Sequence, residues 1–178
     1  ASRTDAGVHA LGQAVSFVWP HAPLDRLPHA LNSMLAPEIA VAHLAPAPAD
    51  FHARFDAAGK RYAYQLRLHH QHDPFAARYA WHVAHPVDLD RLRALLPRLV
   101  GTHDFAGFQS AGAQPRENTV RTLHAARLEA GALVGPQACD GLWRLEFEGD
   151  GFLYHMVRNL AGTLIEIARG RFAPHFLD

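Results

Sequence analysis

The chain has one cysteine, Cys139, in 178 residues. That excludes an intramolecular disulfide and any zinc site built on cysteine pairs. It has no long apolar run: its best stretch, residues 160–168, is broken by Gly162 and Glu166 and falls far short of the roughly 20 residues that a spanning helix needs. The opening Ala1-Ser2-Arg3-Thr4-Asp5 lacks the charged-then-apolar pattern of a secretory signal, so the expected compartment is the cytoplasm. Net charge is missing too. Seventeen basic and seventeen acidic residues cancel, where nucleic-acid binders often carry a basic excess. No cofactor motif, internal repeat or biased tract stands out, apart from the Ala/Pro segment 45–50. What remains, 49% apolar and 19% charged, is the composition of a globular chain long enough to bury a real core.

The charge is uneven along the chain. Residues 52–70 hold Arg54, Lys60, Arg61 and Arg67 against Asp56 alone, whereas residues 129–150 hold Glu129, Asp140, Glu146, Glu148 and Asp150 against Arg144 alone. A basic face opposite an acidic one is the expectation, and phosphate contact needs local rather than net charge.

Hydrophobic periodicity supplies the elements. Val15, Phe17 and Trp19 alternate with small residues, which predicts a strand over 13–19 after a glycine-containing turn. Leu24, Leu27, Leu31 and Leu35 form a helical stripe, with Asp25 a candidate N-cap and Pro28 in the first turn. A short strand is expected over 39–44. The clearest strand is 61–68, with Tyr62, Tyr64, Leu66 and Leu68 on one face and Arg61, Ala63, Gln65 and Arg67 on the other. A strand near 79–83 precedes a helix opened by Asp88, striped by Leu89, Leu92, Leu96 and Leu99, kinked at Pro97 and closed by Gly101. Residues 109–118 read as an exposed loop, followed by strands over 120–128 and 142–147 and a helix over 152–168. Strands and helices do not alternate strictly, so the fold class is α+β with a largely antiparallel sheet.

Four segments carry chemistry. Arg3-Thr4-Asp5-Ala6-Gly7-Val8-His9 packs a cation, a hydroxyl and a carboxylate into a turn. Alone, its Thr-Asp-Ala-Gly is an ordinary turn sequence. Phe51-His52-Ala53-Arg54-Phe55 precedes Lys60-Arg61-Tyr62-Ala63-Tyr64, Gly101-Thr102-His103-Asp104-Phe105 follows the second helix, and Phe152-Leu153-Tyr154-His155-Met156-Val157-Arg158-Asn159-Leu160-Ala161-Gly162 starts the last one. Taken singly, Tyr62 reads as core on its strand and Arg158 as a helix-surface cation. In this order and at these spacings, however, the segments resemble the TruA-type tRNA pseudouridine synthases from about residue 2 to about residue 171.

The resemblance implies a pseudouridine-synthase-like α+β fold, a mixed and largely antiparallel sheet flanked by helices around an RNA-binding cleft. Residues 1–50 would close an N-terminal lobe and residues 51–178 would form the catalytic lobe. The implied reaction detaches uracil from its ribose and rejoins it through carbon 5, without metal or organic cofactor. The implied partners are the tRNA anticodon stem-loop and a second copy of the chain in a homodimer. The family's catalytic Asp falls on Asp5, whose carboxylate can attack the sugar, attack the base, or support an eliminated-sugar route. Arg3 is expected to fill the space the flipped-out nucleotide vacates or to hold its backbone, Tyr62 to stack on its uracil and Arg158 to pair with Asp5. Ser2 stands where the family usually has Gly. The family also has a strand-helix segment ahead of the first motif and a closing helix and strand at the end, so the chain is expected to be a fragment, and an inactive RNA-binding piece of such an enzyme is the alternative reading.

The histidines of the motifs (His9, His52, His103 and His155) are expected to pack or hydrogen-bond. Fourteen histidines, with the run His69-His70-Gln71-His72-Asp73, raise a metal reading, but no ligand spacing supports it and a solvated loop is expected there.

Overall fold

In the computed structural model, which describes residues 4–21, 23–112 and 118–177, the chain forms two units, 1–57 and 58–178. Among the described residues the first unit contains one helix, α1 (Leu27–Leu35). Pro28 sits in its first turn as expected, where a missing N–H costs nothing, but the N-cap is Arg26 rather than Asp25, and no side chain caps the turn. The strands expected over 13–19 and 39–44 do not form. An extended segment becomes a strand only when a neighbour takes its N–H and C=O groups, and neither segment has a ladder; Val15, Phe17 and Trp19 stay exposed. Asn32 on α1 substitutes locally: Val41 N donates to its Oδ1 at 2.6 Å, and its Nδ2 donates to Val41 O at 3.2 Å.

The second unit is a five-stranded mixed sheet of order β2-β1-β5-β4-β3 with helices on one face. Its strands are β1 (Lys60–Leu68), β2 (Trp81–Val83), β3 (Gly101–Asp104), β4 (Val120–Ala130) and β5 (Leu142–Gly149). All neighbours are antiparallel except β1 and β2. The register seats Tyr62 opposite Phe147, Tyr64 opposite Leu145 and Leu66 opposite Trp143, so the alternation of β1 and β5 builds one apolar face. Helices α2 (Leu89–Leu95) and α3 (Met156–Ala168) cover it through Leu92, Leu95, Met156, Leu160, Leu164 and Ile167, all buried. Asp88 caps α2, accepting from Arg91 N at 2.9 Å, and at Pro97 the helix tightens into a 3-10 turn, Leu96–Leu99.

One expectation about the other face needs correction. Its basic and acidic segments are not on opposite faces, because β1 and β5 run side by side. Arg61 meets Glu148 at 3.2 Å and Arg144 meets Glu146 at 2.5 Å, so the charges interleave and neutralise one another. Gln65 and Arg67, on the same face, are buried. The segments 69–80 and 131–141 fold over them, leaving them 7% and 6% exposed. Gln65 is fully engaged there: Oε1 accepts from Leu133 N and Val134 N, and Nε2 donates to Tyr79 O and Val134 O. Arg67 donates to Gln71 O, and Asp73 accepts from the Cys139 thiol at 2.9 Å.

Strand β3 was not anticipated. Three of its four residues are exposed, and pairing with β4 alone makes it a strand. The register then sets Lys60, Gly149, Leu123 and Gly101 in one row across β1, β5, β4 and β3. The row is tight at Gly149, where an added Cβ would stand 2.6 Å from Thr122 O.

Candidate active site

That row brings three motif segments of the second unit to one end of the sheet. Tyr62 is half-buried near the start of β1. Its ring meets Phe152 edge to face, with centroids 4.9 Å apart, and Phe152 lies in the connection from β5 to α3. Asp150 closes that connection against β4: its N donates to Thr122 O at 3.1 Å, and its Oδ1 accepts from Thr122 N at 3.2 Å. Helix α3 begins at Met156, four residues later than the apolar stripe suggests, because His155 before it takes a left-handed φ of 58°. Tyr154 stacks on the His155 ring at 3.7 Å. Arg158 is exposed on α3 and pairs with no described residue of the second unit.

The Gly101–Phe105 motif fixes a neighbouring loop. Phe105 is 2% exposed and anchors the segment in the core. Asp104 Oδ1 accepts from Thr119 Oγ1 at 2.5 Å and from Ala106 N at 3.0 Å, while Phe105 N donates to Thr119 O. The Thr119 hydroxyl first, and the Ala106 amide second, hold the Asp104 carboxyl below its ordinary 3.8. A depressed folded value means this closure is complete above 3.8 and is lost as pH falls through the lower folded value. An NMR titration of Asp104 should therefore give a midpoint below 3.8, and Thr119→Val should raise it; a midpoint at or above 3.8 in the parent would rule the closure out.

In the first unit, Asp5 is exposed at the head of a tight turn, with Val8 N donating to Asp5 O at 3.0 Å and Gly7 at φ +79°. Only glycine takes that φ without cost. Arg3 lies outside the described residues. His52 organises the turn of the second motif: its Nδ1 accepts from Arg54 N and Phe55 N, its N donates to Asp56 Oδ2 at 2.7 Å, and its ring stacks on Phe55, while Ala53 N donates to Ser16 Oγ at 3.2 Å. Arg54 stands exposed on this turn, its guanidinium 5.4 Å from the Phe55 ring centre. Thus Tyr62 and the first turns of α3 share one end of one sheet, while Asp5 belongs to the other unit.

Sequence reasoning assigned no role to Phe152 or Asn159. Asn159 Nδ2 donates to Phe108 O at 2.9 Å and to Ser110 Oγ at 3.2 Å. The signal for it was a poor helix former between apolar positions of α3. Among the described residues no group of three or more His, Cys, Asp or Glu is placed to hold a metal ion. The histidine run is occupied locally, with Gln71 N donating to His69 Nδ1 and the rings of His69 and His70 stacked. A shallow groove of about 460 Å³ lined by Leu68, His69, His85 and Trp143 lies at the opposite end of β1 and includes no motif residue. Among the described residues no helix is long and apolar enough to cross a membrane.

Residues 96–178 match the family described as tRNA pseudouridine synthase. Along nearly the whole chain, the tRNA pseudouridine synthase A of Latilactobacillus sakei is 43% identical over 176 residues, covering 98% of this chain and 68% of its own length. The proteins of the same name from Halalkalibacterium halodurans and Delftia acidovorans are 41% and 40% identical, covering 96% and 100% of this chain and 62% and 68% of theirs. The chain therefore belongs to the tRNA pseudouridine synthase family, and spans about two thirds of the length of these relatives.

Proposed function

We propose that the chain isomerises uridine to pseudouridine in the tRNA anticodon stem-loop, with Asp5 as the catalytic carboxylate. The observation that carries this reading is the likeness to proteins named tRNA pseudouridine synthase A along 98% of the chain, four motif segments included. The reaction balances internally: the bond from uracil N1 to ribose C1′ breaks, a bond from C5 to C1′ forms, C5 loses a proton and N1 gains one. No electrons leave the substrate. The target must leave the base stack, which costs unstacking energy that an aromatic face offsets. Tyr62, backed by Phe152, offers that face. Arg158, exposed and paired with no described residue of its unit, serves the Asp5 carboxylate, and Arg3 holds the flipped nucleotide's backbone. Exposed cations such as Arg54 meet phosphates, so recognition rests on RNA shape more than on base edges. A homodimer in the cytoplasm completes the reading.

The test is release of tritium from tRNA labelled at uridine C5. Release into water supports the isomerase; a folded chain that binds tRNA and releases none is a binding module instead. Stacking on Tyr62 is expected to be worth about 1–3 kcal/mol. Tyr62→Leu should accordingly lower kcat/KM about 10- to 100-fold while Tyr62→Phe keeps most of it. Equal activity in Tyr62→Leu would remove the ring from the site.

A further inference from the structure

The first turn of α3 carries Arg158 and is closed locally by a backbone bond, Met156 N to Leu153 O at 3.1 Å, but it lacks the side-chain devices that hold a helix start. Its N-cap is His155 in a left-handed conformation, the His155 side chain makes no cap hydrogen bond, and the turn has no acidic residue to meet the exposed N–H groups. Such a start frays unless something outside the helix holds it. Here the holding groups come from the segment after β3. Asn159 Nδ2 donates to both Phe108 O and Ser110 Oγ, and Ser110 N donates to Tyr154 O at 3.2 Å. The segment giving these partners is itself anchored, by buried Phe105 on one side and by the Asp104–Thr119 closure at its base. The two motifs are thus tied on both sides of Arg158, at residues 154 and 159.

We propose that Asn159 is a positioning residue: by stapling the first turn of α3 to Phe108 and Ser110, it fixes the direction in which Arg158 is presented to the reacting centre. The inference rests on the isomerase reading for its consequence, and on the geometry alone for the staple. A half-buried asparagine with both amide hydrogens engaged has no equal among isosteric residues, since aspartate keeps the shape and loses both donors.

The staple and its consequence are read separately. In Asn159→Ala and Asn159→Asp, amide exchange at Leu160 should quicken about tenfold relative to Leu164 in the same helix. Unchanged exchange there overturns the staple whether or not the parent is active. For the consequence, kcat should fall about tenfold in either variant, since small misplacements of catalytic groups are costly. In an Arg158→Ala background the same substitution should change kcat less than about twofold, because no guanidinium remains to be aimed. Ser110→Ala, which removes one of two acceptors, should fall between parent and Asn159→Ala. If the kcat losses at 158 and 159 simply multiply, or if Asn159→Ala lowers only the melting temperature, Asn159 is structural and the proposal fails. A parent chain without tritium release counts against the isomerase reading, while the exchange data still decide the staple.

Discussion

Asp5→Ala should abolish tritium release while leaving the chain folded and able to bind tRNA. The carboxylate is the only group assigned to act on the reacting bonds, and removing such a group costs about a thousandfold or more in kcat. The turn keeps two supports in the variant: Val8 N is held by the Asp5 carbonyl, and Gly7 supplies the positive φ. An exposed side chain in such a place changes stability by only about 0.5 kcal/mol. Asp5→Asn should be as inactive as Asp5→Ala, since an amide neither attacks carbon nor balances a cationic sugar. Binding of tRNA, driven by phosphate contacts, should persist in both. Substantial activity in either variant would pass the role of Asp5 to another group and leave its segment an ordinary turn.

The sequence was legible wherever a local signal and a tertiary outcome agree. Strand β1 shows this best: its alternation names the residues that meet Phe147, Leu145 and Trp143. The helix opened by Asp88 is another case, since the cap, the leucine stripe and the change at Pro97 are all local. Where a partner decides, the residues alone mislead. The segment 13–19 alternates as well as β1 does but has no ladder, while Gly101–Asp104 does not alternate and is a strand because β4 pairs with it. Gln65 and Arg67 sit on the polar face of β1, yet the loop that follows the strand and a later one over 131–141 fold back to bury them. No periodicity argument reaches that far.

The candidate site divides the same way. Tyr62 and Arg158 were assigned roles because their motifs are recognisable strings. Phe152 and Asn159 stand inside one of those strings, but what marks them out is contact in the fold, with Tyr62 and with the carbonyl of Phe108. The late start of α3 also escaped the pattern, because an apolar stripe does not report the φ of His155. Burial, hydrogen bonds and backbone angle are what the fold adds.

The largest expected effect on stability is at Phe147, directly behind the site. Phe147 is fully buried on β5, between Tyr62 on β1 and Ala126 on β4. Truncation to alanine removes its transfer energy and leaves a cavity between sheet and helices, a loss of about 3–5 kcal/mol. Against a typical total of about 5–15 kcal/mol, that is enough to leave the second unit marginal at physiological temperature. Phe147→Leu, closer in volume, should cost much less. The neighbouring Glu148 supplies the control. It faces the other side of the sheet, 3.2 Å from Arg61, with side chains 38% and 63% exposed, and a pair so screened contributes little. Glu148→Ala should therefore stay within about 0.5 kcal/mol of the parent. Urea unfolding reads both, with an unchanged slope and a midpoint that moves only for Phe147. Losses of similar size at 147 and 148 would mean that the two faces of β5 are not divided into core and solvent, and the placement of Tyr62 over a packed floor would fall with that division.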